Sequence, residues 1–194
     1  MEVKVSEKIA PILEKIDQFY MAEVAPREDE LQHRLVDRRG YLGSDGRIHP
    51  AVQKARRDIM RASGRAGLYS LHLPEGIGGG GLYRSDMFFV EEKVYGYGVG
   101  LNPAIVAWTD GATPRLIFCR EDQRQRFIDP LVRGEKTSLN AVTEPDAGSN
   151  FFELKTAATK DGDSWILNGH KAFITNAFEA DIAQVFAVTD STMG

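Results

Sequence analysis

The hydrophobic pattern changes period near Lys136, and that change constrains the fold more than any other feature of the chain. Up to Lys136 the apolar residues recur at three- and four-residue steps, the spacing of one helix face. Beyond it they alternate, the spacing of a half-buried strand. A helical domain over residues 1–136 followed by an antiparallel β-domain over 137–194 is therefore expected, an α+β chain.

In the first part, Ile9, Ile12, Leu13, Ile16, Phe19, Tyr20 and Val24 form one stripe, with Ser6 as the expected N-cap and Pro26 as the expected stop. Residues 37–50 are rich in Gly, Asp and Ser and read as a loop. Pro50 opens a second helix to about Ala66, with Val52, Ile59 and Met60 inward and Gly67 ending it. Ser85 is expected to cap a third, carrying Met87, Phe88, Val90, Glu91 and Val94. Asn102-Pro103 starts a fourth through Ile105, Val106 and Trp108, and residues 121–132 make a fifth with Phe127, Ile128 and Leu131 apolar. After Lys136 five strands are expected: from Thr137 to Thr143, 152–159, 165–167, 171–175 and 182–189. Asp161-Gly162 and Asn168-Gly169 are the turn dipeptides between them.

Composition excludes several classes. Net charge is −4 with both signs mixed, so nothing marks a nucleic-acid surface. The one cysteine, Cys119, excludes a disulfide within the chain and reads as a half-buried helix residue. His33, His49, His72 and His170 have no metal-ligand spacing, so no metal is expected. There is no apolar run of membrane-spanning length and no secretory signal pattern, which points to the cytoplasm or an organelle matrix.

Two segments invite a ligand. Gly76, Gly78 and Gly81 match the dinucleotide-binding pattern Gly-x-Gly-x-x-Gly. However, the apolar run before them is short and closes at Pro74, and no acidic residue lies near Leu101-Asn102 to hold a ribose. No second strand–helix–strand unit follows. The four consecutive glycines, each costing roughly 0.5–1 kcal/mol inside a regular element, read as a loop between helices. The stronger segment is Ala141-Val142-Thr143-Glu144-Pro145-Asp146-Ala147-Gly148-Ser149-Asn150. A strand ends at Thr143, turns at Pro145-Asp146, and so exposes backbone N–H groups and hydroxyls that suit a phosphate or a polar heteroaromatic edge.

This segment resembles the Thr-Glu-Pro-x-Ala-Gly-Ser-Asp motif of acyl-CoA dehydrogenases. The block Asn168-Gly169-His170-Lys171-Ala172-Phe173-Ile174-Thr175-Asn176 is similar to that family's Asn-Gly-x-Lys-x-(Trp/Phe)-Ile-Thr-Asn. The stretch Gly67-Leu68 … Leu73-Pro74-Glu75 … Gly78-Gly79 and the pair Glu91-Glu92 match further family features in the same order. The resemblance covers about residues 67–190. It implies a helical N-terminal domain, a middle β-domain and a helical C-terminal domain, with FAD as cofactor. By position, Asn140, Val142, Thr143, Gly148, Ser149, Phe173 and Thr175 are the expected cofactor contacts. The Val142 and Thr143 backbone and the Thr143 hydroxyl would meet the flavin pyrimidine edge, Gly148 and Ser149 the pyrophosphate, Phe173 the isoalloxazine face and Thr175 the neighbourhood of N5. Ser149 would also contact substrate.

Glu144 belongs to the turn and is not the base. Asn150 replaces the family's aspartate, which bears on the local hydrogen bonding. The implied reaction is α,β-dehydrogenation of an acyl-CoA thioester, as in fatty acid metabolism, with electrons passed to an electron-transfer flavoprotein-like acceptor. The catalytic base is expected in the C-terminal domain, and no residue here matches it. The match stops partway through the β-domain, so a fragment, or a chain completed by a partner, is expected. The rival expectations are a non-catalytic subunit sharing a flavin site and a same-fold flavin oxidase or monooxygenase. A homo-oligomer is the expected assembly.

Overall fold

A computed structural model describes residues 7–107 and 110–190 of the chain. The first helix, α1 (Ala10–Phe19), turns its apolar stripe inward and buries Ile16 and Phe19. Ser6, its expected cap, lies outside the described residues. The helix does not stop at Pro26. It passes through a wide π turn at Tyr20–Val24 and continues as α2 (Ala25–Leu35). In that turn the Ala25 amide bonds the Tyr20 carbonyl, five residues back. The widened turn places Pro26 in the first turn of a new helical segment, where its missing N–H and its ring are tolerated. The same arrangement recurs in the expected fifth helix. There α6 (Glu121–Gln123), a π turn at Arg124–Ile128 and α7 (Asp129–Val132) run on continuously, and Pro130 follows the π turn as Pro26 does.

Residues 37–50 form a loop containing the single turn α3 (Arg38–Tyr41). The next helix, α4 (Pro50–Arg65), has its first turn closed by His49, whose Nδ1 accepts from the Ala51 amide at 3.2 Å. Its inner face buries Val52, Ile59 and Met60. Then α5 (Arg84–Tyr95) begins one residue before the expected cap. Tyr83 is its N-cap and makes no side-chain cap bond, so Ser85 lies within the first turn. Met87, Val90 and Val94 of α5 are buried and Phe88 is exposed. The expected fourth helix shrinks to a 3-10 turn at Asn102–Ile105, with Val106 already extended. Trp108 lies outside the described residues. Cys119 is half-buried and free, but it follows a 3-10 turn at Pro114–Phe118 in extended backbone instead of lying in a helix.

The chain divides between Lys136 and Thr137 into two units. The core of the first joins α1, α4, α5 and the turn at Asn102–Ile105 through Ile16, Ile59, Val90 and Ile105, all fully buried. Burial of such side chains, at roughly 1.5–3 kcal/mol each, holds this unit together.

Among the described residues the second unit has four strands, β1 (Ser138–Ala141), β2 (Ala157–Asp161), β3 (Ser164–Asn168) and β4 (Ile182–Val185). β2 and β3 form the expected hairpin, antiparallel, with its turn at Gly162-Asp163, one residue beyond the expected Asp161-Gly162, because Asp161 is the last residue of β2. Gly162 has φ 54 and Asp163 does not have positive φ, the pattern of a turn whose first central residue must be glycine-like. The pairing is not antiparallel throughout: β1 pairs with β4 in parallel, from Ser138↔Ile182 to Ala141↔Val185. A crossover of about forty residues separates these strands, ample for a parallel connection. The fifth expected strand, 171–175, is absent. Asn168 is the last residue of β3, so Asn168-Gly169 makes no hairpin. No helix among the described residues is long and apolar enough to cross a membrane.

Candidate functional site

The end of β1 gathers most of the expected contacts. The segment after β3 runs back along β1 and is pinned at two points. The Ala172 amide donates to the Thr143 carbonyl at 2.9 Å, and Asn176 Nδ2 donates to the Ser138 carbonyl at 3.0 Å. Between these points the backbone cannot form a strand, because Phe173 (φ 56) and Asn176 (φ 66) both take the left-handed region. Asparagine tolerates it; an aromatic residue there is strained. Phe173 is 93% exposed, so packing in the core does not account for that strain. Thr175 is exposed on the turn that Asn176 closes by accepting the Glu179 and Ala180 amides.

On the β1 side, Asn140, Val142 and Thr143 are half-buried. The Val142 amide donates to the Asn140 carbonyl at 3.2 Å, so it is already engaged within the chain. Neither the Thr143 amide nor its hydroxyl has a hydrogen-bond partner among the described residues. Asn140, Val142, Thr143, Phe173 and Thr175 therefore share one stretch of the unit, with Thr143 its open donor.

Gly148 and Ser149 lie apart, in the excursion between the Glu144 turn and β2, and both are exposed. Glu144 closes the base of that excursion. Its amide and carbonyl bond those of Ala147 at 2.8 and 3.3 Å around Pro145-Asp146. Its buried carboxylate accepts from the Lys155 amide at 2.7 Å and the Thr156 amide at 2.9 Å. It also accepts from Lys171 Nζ at 2.8 Å, and the same ammonium donates to the Val142 carbonyl at 2.9 Å. The Lys171 ammonium first, then the hydrogen-bonded Thr156 and Lys155, hold the Glu144 carboxyl well below the usual carboxylate range. Both carboxylate oxygens of Glu144 are thus engaged, which suits an anchor and not a base.

A depressed carboxylate pKa contributes stability that is complete above the unfolded value, about 4.3, and is lost as pH falls through the folded one. Unfolding of the second unit, followed by Trp165 fluorescence in urea, is therefore expected to become easier as pH falls below about 4.5. Glu144→Gln is expected to flatten that acid limb. An unchanged limb would mean that other carboxylates carry it.

The glycine run offers no comparable site. The Gly78, Gly79, Gly80 and Gly81 amides donate to the carbonyls of Glu75, Pro74, Ser70 and Leu73. A loop that spends its amides on itself has none left to cradle a phosphate. Among the described residues no group of three or more His, Cys, Asp or Glu is placed to hold a metal ion.

Residues 6–135 match the family model for the acyl-CoA dehydrogenase N-terminal domain, and residues 140–194 that for the middle domain. The chain belongs to the acyl-CoA dehydrogenase family. It is 36% identical over 138 residues to the mitochondrial isobutyryl-CoA dehydrogenase of Dictyostelium discoideum, covering 71% of this chain and 33% of that protein. It is 36% identical over 149 residues to the human mitochondrial short-chain specific acyl-CoA dehydrogenase, covering 75% of this chain and 34% of that protein. The crystal structure of an acyl-CoA dehydrogenase complexed with FAD from Bacillus anthracis superposes with a TM-score of 0.67 at 26% identity, over 98% of this chain and 32% of that one. The chain thus spans about a third of the length of these relatives.

Asn150, where the family pattern has aspartate, makes a local hydrogen bond of its own. Its Oδ1 accepts from the Phe152 amide at 3.2 Å and caps the 3-10 turn Phe151–Glu153, a role that needs an oxygen and not a charge. Lys171 is the member of the site that sequence reasoning passed over. Its place in the Asn-Gly-x-Lys block was visible, but its partners, Glu144 and Val142, lie 27 and 29 residues away in the other block.

Proposed function

We propose that the second unit is the flavin-contacting part of an FAD-dependent acyl-CoA dehydrogenase. The protein to which it belongs would remove the α-proton and β-hydride of an acyl-CoA thioester. One observation carries this reading: the Thr143 amide and hydroxyl have no hydrogen-bond partner among the described residues, and beside them a strained, exposed Phe173 is tied to Thr143 through the Ala172 amide. Open donors next to an uncovered aromatic face fit a flat heteroaromatic ring with acceptor atoms on its edge. When bound, FAD supplies the hydride acceptor at N5.

This chain's residues bind and orient. Thr143 would donate to the pyrimidine edge, Phe173 would cover one ring face and exclude water there, and Thr175 would donate near N5. Asn140 lines the same stretch. Gly148 and Ser149, on the exposed excursion, would meet the pyrophosphate, and Ser149 the substrate as well. Electrons would leave to a separate flavoprotein acceptor, and the working protein would be an oligomer. The relatives named acyl-CoA dehydrogenases and the FAD-bound neighbour support the reading.

The test is visible absorption after gel filtration with FAD, on the chain as it is and on Gly148→Ala. A Cβ at Gly148 meets nothing within 4 Å, and its φ is not left-handed. The variant should therefore keep the wild-type unfolding temperature. If the pyrophosphate approaches this backbone, the same methyl should weaken FAD binding about ten-fold or more. Flavin bands in the wild type that fade in Gly148→Ala are the expected result. Lack of flavin both in this chain and in a chain extended with a relative's C-terminal sequence would overturn the reading.

A further inference from the structure

We propose that Lys171 is a positioning residue that sharpens the Thr143 amide as a donor to the flavin edge by holding its ammonium on the Val142 carbonyl. The inference rests on the flavin reading above and names a device within it. The Val142 carbonyl and the Thr143 N–H belong to one planar, conjugated peptide unit. A cation on the oxygen draws electron density through that unit and makes the N–H at its other end more acidic, and so a stronger donor.

The geometry favours a large effect. Lys171 Nζ lies 2.9 Å from the carbonyl oxygen. The side chain of Lys171 is 11% exposed and that of Glu144 4%, so water screens the charge poorly. The ammonium is fixed on its far side by Glu144, whose carboxylate is itself held by the Lys155 and Thr156 amides. The polarised N–H is the one without a partner among the described residues, whereas the Val142 amide is engaged by Asn140. The Glu144 carboxylate thus reaches the Val142–Thr143 peptide through Lys171. A stronger donor at an electron-rich edge stabilises the reduced cofactor more than the oxidised one. Lys171 would therefore raise the flavin potential as well as its affinity.

Removing Lys171 alone would leave a buried carboxylate unpaired and could unfold the unit. The comparison is therefore made between Glu144→Gln, whose amide oxygen can still accept from the ammonium on Val142, and the double variant Glu144→Gln/Lys171→Met, which leaves no unpaired charge, with thermal unfolding of both showing that each is folded. The first readout is the Thr143 amide proton resonance in the cofactor-free chain. The double variant is expected to shift it upfield of its position in Glu144→Gln, and Lys171→Arg should hold it near the wild-type position. With FAD bound, the double variant is expected to bind about ten-fold more weakly than Glu144→Gln, the scale of one charge-assisted bond. Its midpoint potential should be more negative. A Thr143 resonance and a potential that both ignore Lys171→Met would overturn the proposal. A chain that takes up no FAD would overturn the flavin reading instead, while the amide shift, read without cofactor, still decides whether Lys171 polarises the peptide.

Discussion

Gly64→Ala is expected to destabilise the helical unit by about 3 kcal/mol, a fall of roughly 10 °C in Tm for a unit of this size. On helix propensity alone the sign would be opposite, since alanine is favoured over glycine in a helix interior by about 1 kcal/mol. The contact decides it. Near the end of α4 the Arg133 backbone occupies the space a Gly64 Cβ would need, and its carbonyl oxygen is the nearest atom. The arrangement is reciprocal: a Cβ on Gly134 would overlap the Met60 carbonyl, and Gly134 has φ 63. Backbone packs against backbone here, and neither segment is the far end of a flexible side chain that could swing away. Gly134→Ala adds the left-handed penalty of about 1–2 kcal/mol to its overlap. Because the two substitutions strain one contact, the double variant should fall short of their sum. Gly76→Ala is the control, since a Cβ there meets nothing within 4 Å and its φ is ordinary. Thermal unfolding followed at 222 nm should show Gly76→Ala near the wild type. A Tm for Gly64→Ala at or above the wild type would show that α4 and the 133–134 turn are not in close contact.

Such contacts mark where reading from sequence ends. The switch from helix to strand near Lys136 was legible because it is written in local period, and so were the α+β class, the extent of α4 and the turn at Gly162. Pro26 was misread as a stop because proline rules assume α geometry, and the π turn at Tyr20–Val24 removes the conflict. What supports that turn is distant in sequence. Tyr20 donates to Glu28 at 2.7 Å and stacks on Tyr97, and Glu28 accepts the Leu101 amide at 2.6 Å. The stretch 171–175 carries strand-forming residues, yet it is fastened by Ala172 to Thr143 and by Asn176 to Ser138. Those non-local bonds override propensity. The parallel pairing of β1 with β4 was hidden for the same reason. Thr143 and Phe173 were singled out through their motifs as candidate contacts, and the structure ties the two segments together through the Ala172 amide. That Thr143 and not Val142 keeps an open amide, and that Lys171 joins the two motifs, follows only from tertiary placement.

Phe173→Gly is expected to separate folding from cofactor binding more sharply than any other change in the β unit. At φ 56 a phenylalanine pays about 1–2 kcal/mol in backbone strain that glycine does not. Against that, glycine makes the unfolded chain more flexible, at a cost of roughly 0.5–1 kcal/mol. Little burial is lost, because the ring is 93% exposed. The balance for the cofactor-free chain is therefore a stability unchanged or raised by up to about 1 kcal/mol. A ring held outward at such a cost has to gain its compensation when something covers it. If that something is the flavin, losing its stacking contact removes about 0.5–1.5 kcal/mol beyond the area buried, and with that area FAD affinity should fall about 30-fold or more. Phe173→Leu tests the cause, because it keeps the apolar bulk and the left-handed strain but removes the aromatic face. It should bind FAD between the wild type and Phe173→Gly while unfolding no later than the wild type. The measurements are urea unfolding without cofactor and FAD titration by flavin fluorescence. An FAD affinity of Phe173→Gly equal to the wild type would show that the exposed ring serves some other contact. A loss of stability in the cofactor-free chain would show that the ring is already packed within it.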